Sequence, residues 1–414
     1  MKKLITVCLA FAMLALFLPL LISCEGKDAV TLYVYNWGEY ISDGTEGSLD
    51  VNAAFEEWYE AEFGVRVKVN YSTYSSNEDM YAKISSGASN YDIVIPSDYM
   101  IARMIDEELL RPLDLTNIPN VAYIDYAAMF GADTAPYYDP QKSYSVPYTY
   151  GTVGIIYNKT MVDEADLGTW DIMWNEKYTG NVLQFNNSRD AFATALFKLG
   201  YSVNTEDEAQ WREALALLMA QKPIVQGYVM DEVFNKMENG SAAIAPYYAG
   251  DFFTMYADNE DLGFSYPREG TNVFVDAMCV PASSENPEIA ERYINFMLSK
   301  EAAIANAEYI CYASPNKLVV EDEDYRATME ELHPDAMEIL YGTGEVPLEF
   351  YENLPEDRLM MVNDLWEDLK IESPINTAII VMAGVILGGT VGAGAYFAVR
   401  ARKRRKIVST LWNT

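Results

Sequence analysis

Apolar and polar positions alternate along residues 31–96 in a pattern that predicts a β-α-β-α-β order. Short apolar runs predict strands, and longer runs with apolar residues three or four positions apart predict helices. The strands are expected at 31–36, 65–69 and 91–96, and the helices at 49–63 and 77–87. This order is typical of a mostly parallel sheet covered by helices, in which ligands bind at the carboxyl ends of the strands.

Two long extended runs in the middle of the chain predict strands that cross between two lobes. The first run covers 146–157 and the second covers 272–280. Between them the pattern predicts helices at 189–199 and 206–220 and a strand at 242–246. We therefore expect an α/β fold with one lobe formed by 29–148 and 275–318 and the other formed by 149–274 and 319–372.

The chain begins with a segment that is typical of a secretory signal. Lys2 and Lys3 precede an apolar stretch over 4–22. The sequence Leu21-Ile22-Ser23-Cys24 resembles the lipobox of bacterial lipoproteins, in which the cysteine carries the lipid. We expect 1–23 to be a lipoprotein signal peptide and Cys24 to be lipidated. The alternative is an ordinary cleaved signal beside an incidental cysteine.

A second apolar segment, 375–399, contains no charged side chain. A helix of this length would extend over about 37 Å, which is enough to cross a bilayer. The basic cluster at 400–406 predicts that the tail, 400–414, is cytoplasmic. We therefore expect a transmembrane helix at 375–399. The protein would be at the cell membrane, single-pass and lipid-anchored, with its acidic body on the extracytoplasmic side.

The composition narrows the classes of function. The chain has 62 Asp and Glu against 29 Lys and Arg, and such a surface repels nucleic acid and attracts small cations. A merely solubilising acidic surface is the alternative interpretation. The single His of the chain, His333, argues against a His-based metal site and against a Ser-His triad, and we expect no cofactor. Whether Cys279 and Cys311 form a disulfide stays open.

One carboxylate stands out against its surroundings. Asp276 lies within 272–280, which otherwise reads as a buried strand, and that run contains no Lys or Arg. An unpaired buried carboxylate is costly, so it must be protonated or find a cation. Buried ionisable groups concentrate at functional sites. We interpret Asp276 as the seat of a cationic ligand, with an internal salt bridge as the alternative.

Several short motifs occur in a fixed order along the chain. They are Tyr35-Asn-Trp-Gly-Glu-Tyr40, Tyr71-Ser-Thr-Tyr74, Tyr91-Asp-Ile-Val-Ile-Pro-Ser97, the strand of Asp276 and Ser314-Pro-Asn316. Together they resemble the extracytoplasmic spermidine/putrescine-binding component of polyamine ABC transporters, over residues 32–370. The resemblance implies a two-lobed periplasmic-binding-protein fold of type II with a ligand cleft between the lobes. It also implies a polyamine receptor, not an enzyme, whose permease and ATPase partners are other chains.

The resemblance further implies a set of ligand-binding residues. They are Trp37, Glu39, Tyr40, Ser97, Tyr99, Asn187, Asp190, Tyr248, Phe274, Asp276, Tyr312 and Glu352. The related sequence has a second carboxylate where Asn187 stands, and this departure leaves ligand length and affinity open. Asp190 lies at a predicted helix start, where it could act only as a cap. The aromatic residues could be ordinary core side chains.

The physical chemistry of a polyamine fits this set. Each ammonium group that leaves water needs a carboxylate, and the methylene chain needs flat apolar walls, which aromatic rings supply. A receptor for another cationic or small solute is one alternative. A glycosidase-like enzyme with two carboxylates is another. The sequence does not distinguish putrescine, spermidine and spermine.

Overall fold

The computed structural model describes residues 29–87, 90–130, 135–342 and 346–371. The strands of these ranges are β1 (Val30–Trp37), β2 (Val67–Tyr74), β3 (Ile93–Val94), β4 (Ser145–Asn158), β5 (Val182–Phe185), β6 (Val225–Val229), β7 (Ile244–Tyr248), β8 (Leu262–Ser265), β9 (Thr271–Cys279) and β10 (Leu348–Phe350).

The α-helices of the same ranges lie between and after the strands. They are α1 (Val51–Phe63), α2 (Asn77–Ser85), α3 (Asp98–Asp106), α4 (Tyr126–Phe130), α5 (Ser188–Leu199), α6 (Glu208–Gln221), α7 (Glu232–Glu238), α8 (Ala249–Asp258), α9 (Pro287–Met297), α10 (Lys300–Ile310), α11 (Lys317–Val320), α12 (Glu323–Leu332), α13 (Ala336–Tyr341) and α14 (Glu356–Ile371).

The strands pair in the order β2-β1-β3-β9-β4-β7-β5-β6, while β10 pairs with β9 and β8 pairs with β4. The pairings of β1 with β2 and β3, and of β5 with β6 and β7, are parallel. The two middle strands, β4 and β9, run antiparallel to each other and to β3 and β7. The sheet is therefore mixed rather than mostly parallel, because β4 opposes β7, β8 and β9, and β9 opposes β3 and β4 while running parallel to β10.

β4 and β9 connect the two lobes. Along β4 the first half pairs with β9, from Ser145 opposite Cys279 to Thr152 opposite Val273. The second half then pairs with β7 and β8. Nearly every residue of these two strands is buried, as their long apolar runs predict. The two-lobed α/β fold that the sequence predicts is confirmed; the lobe boundaries at 148, 274 and 318 stay a prediction.

Each lobe has its own apolar core. Leu32, Val34 and Phe55 belong to the core of the first lobe, which lies between its sheet and α1, α9 and α10. Ile155 and Phe252 belong to the core of the second lobe. A further cluster joins α5, α6 and the last helix, α14. The cleft between the two cores is the place where a ligand can be enclosed.

Local sequence explains where the helices around the cleft begin and end. Asp50 caps α1 by accepting a hydrogen bond from the backbone N–H of Ala53 at 2.9 Å, and Gly64 ends that helix with φ +67°. In the same way Asn187 caps α5, and Gly200 ends it with φ +74°. The cap at Asn187 matters for the site because α5 begins at the cleft.

The predicted membrane attachments are at the two ends of the chain. The signal peptide at 1–23, Cys24, the apolar segment at 375–399 and the tail at 400–414 lie outside the described residues. In the part of the chain that the structure describes, no helix is long and apolar enough to cross a membrane. This finding corrects the predicted fold, which included a transmembrane helix, and the predicted single-pass location at the cell membrane.

Cys279 and Cys311 are both buried free cysteines, so the disulfide that the sequence left open is not formed in this structure. Several short strands were not predicted, among them β5 and β8. Strands of four residues carry too little pattern to separate them from loops or buried helix segments.

Candidate functional site

A cavity of about 2020 Å³ lies in the cleft between the lobes. Its wall is formed where β1, β3 and β7 end and where β9 passes between the lobes. The predicted site residues on this wall are Trp37, Glu39, Tyr40, Ser97, Tyr99, Asn187, Asp190, Tyr248, Phe274, Asp276 and Tyr312. Residues that lie up to 275 positions apart along the chain thus share one cleft, and their roles as ligand contacts stay predictions.

Asp276 lies in the interior of β9, and only 4% of its surface is exposed. Its Oδ1 accepts a hydrogen bond from Ser97 Oγ at 2.7 Å, and its Oδ2 accepts one from the Tyr40 hydroxyl at 2.7 Å. No ion pair among the described residues includes this carboxylate. Burial raises the pKa of Asp276 to about 6, although both hydrogen bonds oppose the shift.

The two donors of Asp276 are themselves held in place. Asn77 Nδ2 donates to Ser97 Oγ at 3.0 Å, which leaves the Ser97 proton for Asp276. The Tyr40 hydroxyl lies 2.6 Å from Thr149 Oγ1, and because Tyr40 donates its single proton to Asp276, Thr149 is the donor in that contact. The carboxylate therefore has two oriented donors and no ion-pair partner among the described residues, and its role as the seat of a cationic ligand stays a prediction.

Asp190 lies in the first turn of α5 on the second lobe. Its Oδ2 accepts hydrogen bonds from Asn187 Nδ2 at 2.7 Å and from the Tyr248 hydroxyl at 2.6 Å. Its Oδ1 accepts one from the Tyr351 hydroxyl at 2.8 Å. The cap of the helix is Asn187, whose Oδ1 accepts from the Asp190 backbone N–H at 2.8 Å. Asp190 is therefore not needed as the cap, and its carboxylate faces the cleft.

Four aromatic rings form a continuous wall between these two carboxylates. Tyr248 contacts Phe274 with ring centroids 5.4 Å apart, and Phe274 contacts Tyr312 at 6.1 Å. Tyr312 then contacts Tyr40 at 5.2 Å. All are edge-to-face contacts, a favourable arrangement of aromatic pairs. Such a wall offers apolar surface to methylene groups and electron-rich faces to cations.

Two glycines make room for this wall. A Cβ atom on Gly151 would lie 2.8 Å from Phe274 Cζ, and one on Gly250 would lie 2.2 Å from Tyr312 Cδ2. Neither glycine needs a positive φ, so their role is space rather than backbone freedom. The rings of Phe274 and Tyr312 reach their positions because β4 and α8 carry no side chain there.

The remaining predicted residues of the first lobe line the mouth of the cleft. Trp37 donates from Nε1 to the Ile95 carbonyl at 3.0 Å, which fixes its ring. The Tyr99 hydroxyl accepts from Asn77 Nδ2 at 3.1 Å and donates to Glu78 Oε1 at 3.0 Å. Glu39 is exposed and adopts φ +50°, which is uncommon outside glycine. A solvated carboxylate at this position faces the entrance of the cleft.

Glu352 is the one predicted site residue that the structure places elsewhere. It is exposed and does not line the cavity; its backbone N–H donates to Asn204 Oδ1 at 2.8 Å. The neighbouring residue, Tyr351, lines the cavity instead and binds Asp190. The cavity wall thus contains Tyr351 rather than Glu352, and a ligand contact of Glu352 stays a prediction. Nothing in the local sequence marks Tyr351, because its partner is 161 residues away.

Among the cleft carboxylates that were not predicted, Asp98 and Asp251 have strongly raised pKa values. Asp98, at the start of α3, is fully buried and accepts hydrogen bonds from the backbone N–H groups of Tyr99 at 2.7 Å and Val275 at 3.2 Å. Burial raises its pKa to about 8, and the charge of Asp276 adds to the shift. Asp251 lies in the first turn of α8, where burial raises its pKa to about 7. An acidic residue at a helix start is too common to single out from sequence.

The charged groups of the cleft are mostly acidic. The acidic residues are Glu39, Glu78, Asp79, Asp98, Asp190, Asp231, Asp251, Asp276, Glu301 and Glu308, and the basic ones are Arg103, Arg189 and Lys300. Arg103 pairs with Glu107 at 2.9 Å, and Lys300 pairs with Asp322 at 2.7 Å. Among the described residues, no cluster of His, Cys, Asp or Glu is arranged to hold a metal ion.

Arg189 is also engaged away from the cleft carboxylates. Its guanidinium lies over the Tyr351 ring at 4.5 Å, Nη1 donates to the Glu352 carbonyl at 3.3 Å, and Nη2 donates to Asn204 Oδ1 at 3.2 Å. This arginine makes no ion pair within the described ranges. The acidic side of the cleft is thus open to a cation from outside.

Comparison with known proteins agrees with this geometry. Residues 53–331 match the model of the family described as bacterial extracellular solute-binding protein. The chain is 31% identical over 349 residues to the spermidine/putrescine-binding periplasmic protein of Escherichia coli, covering 81% of this chain and 94% of that protein. It is 29% identical to a putrescine/cadaverine-binding protein of Pseudomonas aeruginosa, covering 84% of this chain and 96% of the other.

The fold matches solved structures as well. The spermidine/putrescine ABC transporter substrate-binding protein PotD of Streptococcus pneumoniae superposes with a TM-score of 0.65 at 34% identity, covering 83% of this chain and 99% of that structure. These relatives are named as binding proteins, not as enzymes. The resemblance noted from the sequence motifs is confirmed, and the chain belongs to the bacterial extracellular solute-binding protein family.

Proposed function

We propose that this protein is an extracytoplasmic receptor that binds a polyamine, spermidine or putrescine, and delivers it to an ABC importer. The observation that carries the proposal is Asp276, a buried carboxylate with two oriented donors and no ion pair to any described residue, on the wall of an acidic cleft between lobes. The relatives named for spermidine and putrescine support the same ligand class.

In this proposal the ligand lies along the aromatic wall. Asp276 and Asp190 each bind one ammonium group through charge-assisted hydrogen bonds. The rings of Tyr248, Phe274 and Tyr312 contact the methylene groups between the two ends. Because the basic side chains of the cleft are engaged elsewhere, a free amino acid would find no cation for its own carboxylate, which disfavours that class of solute.

The ATPase and permease partners are other chains in this proposal. This chain contains no G-x-x-x-x-G-K-[ST] motif, which an ATPase subunit would carry.

We also propose that the mature N-terminus is a lipidated Cys24, on the strength of the lipobox-like sequence alone. Mass spectrometry of the mature N-terminal peptide tests this point, and an unmodified Cys24 refutes it.

The central experiment is calorimetric titration of the purified full-length protein with putrescine, spermidine and spermine. Glucose and glutamate serve as neutral and carboxylate-bearing controls. We expect saturable binding of at least one polyamine and none of the controls. Folded protein that binds no polyamine refutes the proposed function. Turnover of an added glycoside would instead support the enzyme alternative.

A further inference from the structure

Three tyrosine–carboxylate pairs recur around the aromatic wall. The Tyr40 hydroxyl binds Asp276, and the Tyr248 hydroxyl binds Asp190. The third pair is Tyr312 and Asp251, in which the phenol opposes the rise that burial causes in the pKa of the carboxyl. The first two pairs belong to the expected ligand set, whereas the third carboxylate has no assigned role. The repetition suggests one chemical unit used three times: a carboxylate oriented by a phenol at the edge of the wall.

The position of Asp251 places it at the same wall. It follows Tyr248 by three residues, in the first turn of α8, and it lines the cavity. The preceding residue, Gly250, lets the Tyr312 ring approach the backbone of α8 closely. Asp251 is therefore a partly exposed carboxylate at the cavity wall, next to the residue on which that ring packs.

Nothing in the described residues neutralises this carboxylate. The cleft cations are bound elsewhere, Lys300 to Asp322 and Arg103 to Glu107, and Arg189 bonds to Asn204. The nearby charge that acts on it is another carboxylate, Asp231, which is exposed. A partly buried carboxylate beside a like charge favours either a proton or an incoming cation. A helix-start role alone does not require a position in the cavity wall.

We propose that Asp251 is a third ammonium-binding residue, so that this cleft binds a triamine such as spermidine more tightly than a diamine. The inference rests on the proposed function. A diamine places its two ammonium groups on Asp276 and Asp190, and a third ammonium gains only if a third carboxylate is available. Specificity then follows from the number of charges that the ligand can satisfy.

The test compares three ligands on the full-length protein and its Asp251→Asn variant by calorimetry. The ligands are putrescine, spermidine and monoacetylated spermidine, in which one terminal amine is neutral. We expect Asp251→Asn to weaken spermidine binding by about tenfold or more, since removing the partner of a desolvated ammonium is costly. Putrescine binding should change by less than about twofold, which also reports that the variant is folded.

The control is Asp258→Asn, which removes the same charge from an exposed position at the other end of α8, outside the cavity wall, and should leave the preference for spermidine intact. Asp251→Ser serves as the second variant if the amide impairs folding. Equal losses for spermidine and putrescine, or no loss for either, overturn the role of Asp251 while leaving the receptor function standing. A wild-type protein that binds no polyamine overturns both proposals together.

Discussion

Asp276 and Asp190 face the same cleft, but a strand interior holds the first and a helix N-terminus holds the second. Asp276 has two hydroxyl donors, and burial raises its pKa to about 6. Asp190 has three side-chain donors and the positive end of the α5 dipole. The three donors and the helix dipole thus compensate much of the charge of Asp190. Asp276 has only two hydroxyl donors, so it has more to gain from a bound cation. Binding should depend more on Asp276.

The largest effect is expected from Asp276→Asn. This change removes the carboxylate from a desolvated ammonium and should cost about 2–5 kcal/mol of polyamine binding free energy. The amide is nearly isosteric, so the variant should remain folded. Calorimetry with Asp261→Asn, an exposed aspartate of the second lobe, is the control. Unchanged affinity in Asp276→Asn would falsify its assignment as a ligand partner.

A smaller loss is expected from Asp190→Asn, about 1–3 kcal/mol of binding free energy. The donors Tyr248 and Tyr351 would still find an oxygen, although the charge is gone. The measurement is the same titration under the same conditions. If Asp190→Asn loses more polyamine binding free energy than Asp276→Asn, then Asp276 does not contribute more to binding than Asp190, which contradicts the comparison above.

The pH dependence of putrescine affinity sharpens the comparison further. Bound putrescine requires ionised Asp276, so affinity is constant well above its pKa of about 6 and falls as the pH drops below it. Between pH 7 and pH 5 the loss should be about tenfold. Asp98, with a pKa of about 8, is mostly protonated at both values, and the ligand amines stay charged.

Asp276→Asn provides the control for that experiment, because it removes the titrating group. Its residual affinity should change little between pH 7 and pH 5. An equally steep loss in the variant would assign the pH dependence to another group. Putrescine is the better probe here than spermidine, since Asp251, with a pKa of about 7, titrates in the same range and is proposed to contact only the longer ligand.

The smallest effect is expected from Asn187→Asp. Asn187 Nδ2 lies 2.7 Å from Asp190 Oδ2, so the new carboxylate would reach the same ammonium as Asp190. Aspartate also caps helices well, which preserves α5. Putrescine and spermidine should both gain, by about 0.5–1 kcal/mol. A gain for spermidine alone would show instead that residue 187 binds the third ammonium.

The parts of the molecule with regular patterns could be predicted from sequence. The alternation at β1, α1 and α2 matches the structure to within two residues at each end, and Asp276 stands out because it interrupts an apolar strand. Each of these features is local: the pattern, the cap and the turn residues lie within one element. The crossing strands could also be predicted from the sequence, because their apolar runs are unusually long.

The rest of the site depends on contacts between distant parts of the chain. Tyr351 binds Asp190 across 161 residues, and the resemblance pointed to the adjacent Glu352 instead. The burial of Asp98 depends on Val275 in β9, which no local pattern near α3 reveals. The surroundings of Asp251 depend on the packing of Tyr312 against Gly250, two residues that are far apart along the chain. The mixed sheet likewise follows from strand pairing, which the element order does not determine.

Gly151 and Gly250 indicate whether a related sequence can form the same aromatic wall. Both positions contribute empty volume, which the rings of Phe274 and Tyr312 occupy. A related sequence with any side chain at either position cannot keep both rings where they are here. The two glycines therefore act as a diagnostic when natural variants are sorted: sequences that retain both can share this ligand wall, and sequences that lose one must have rebuilt it, with a different ligand preference as the expected result.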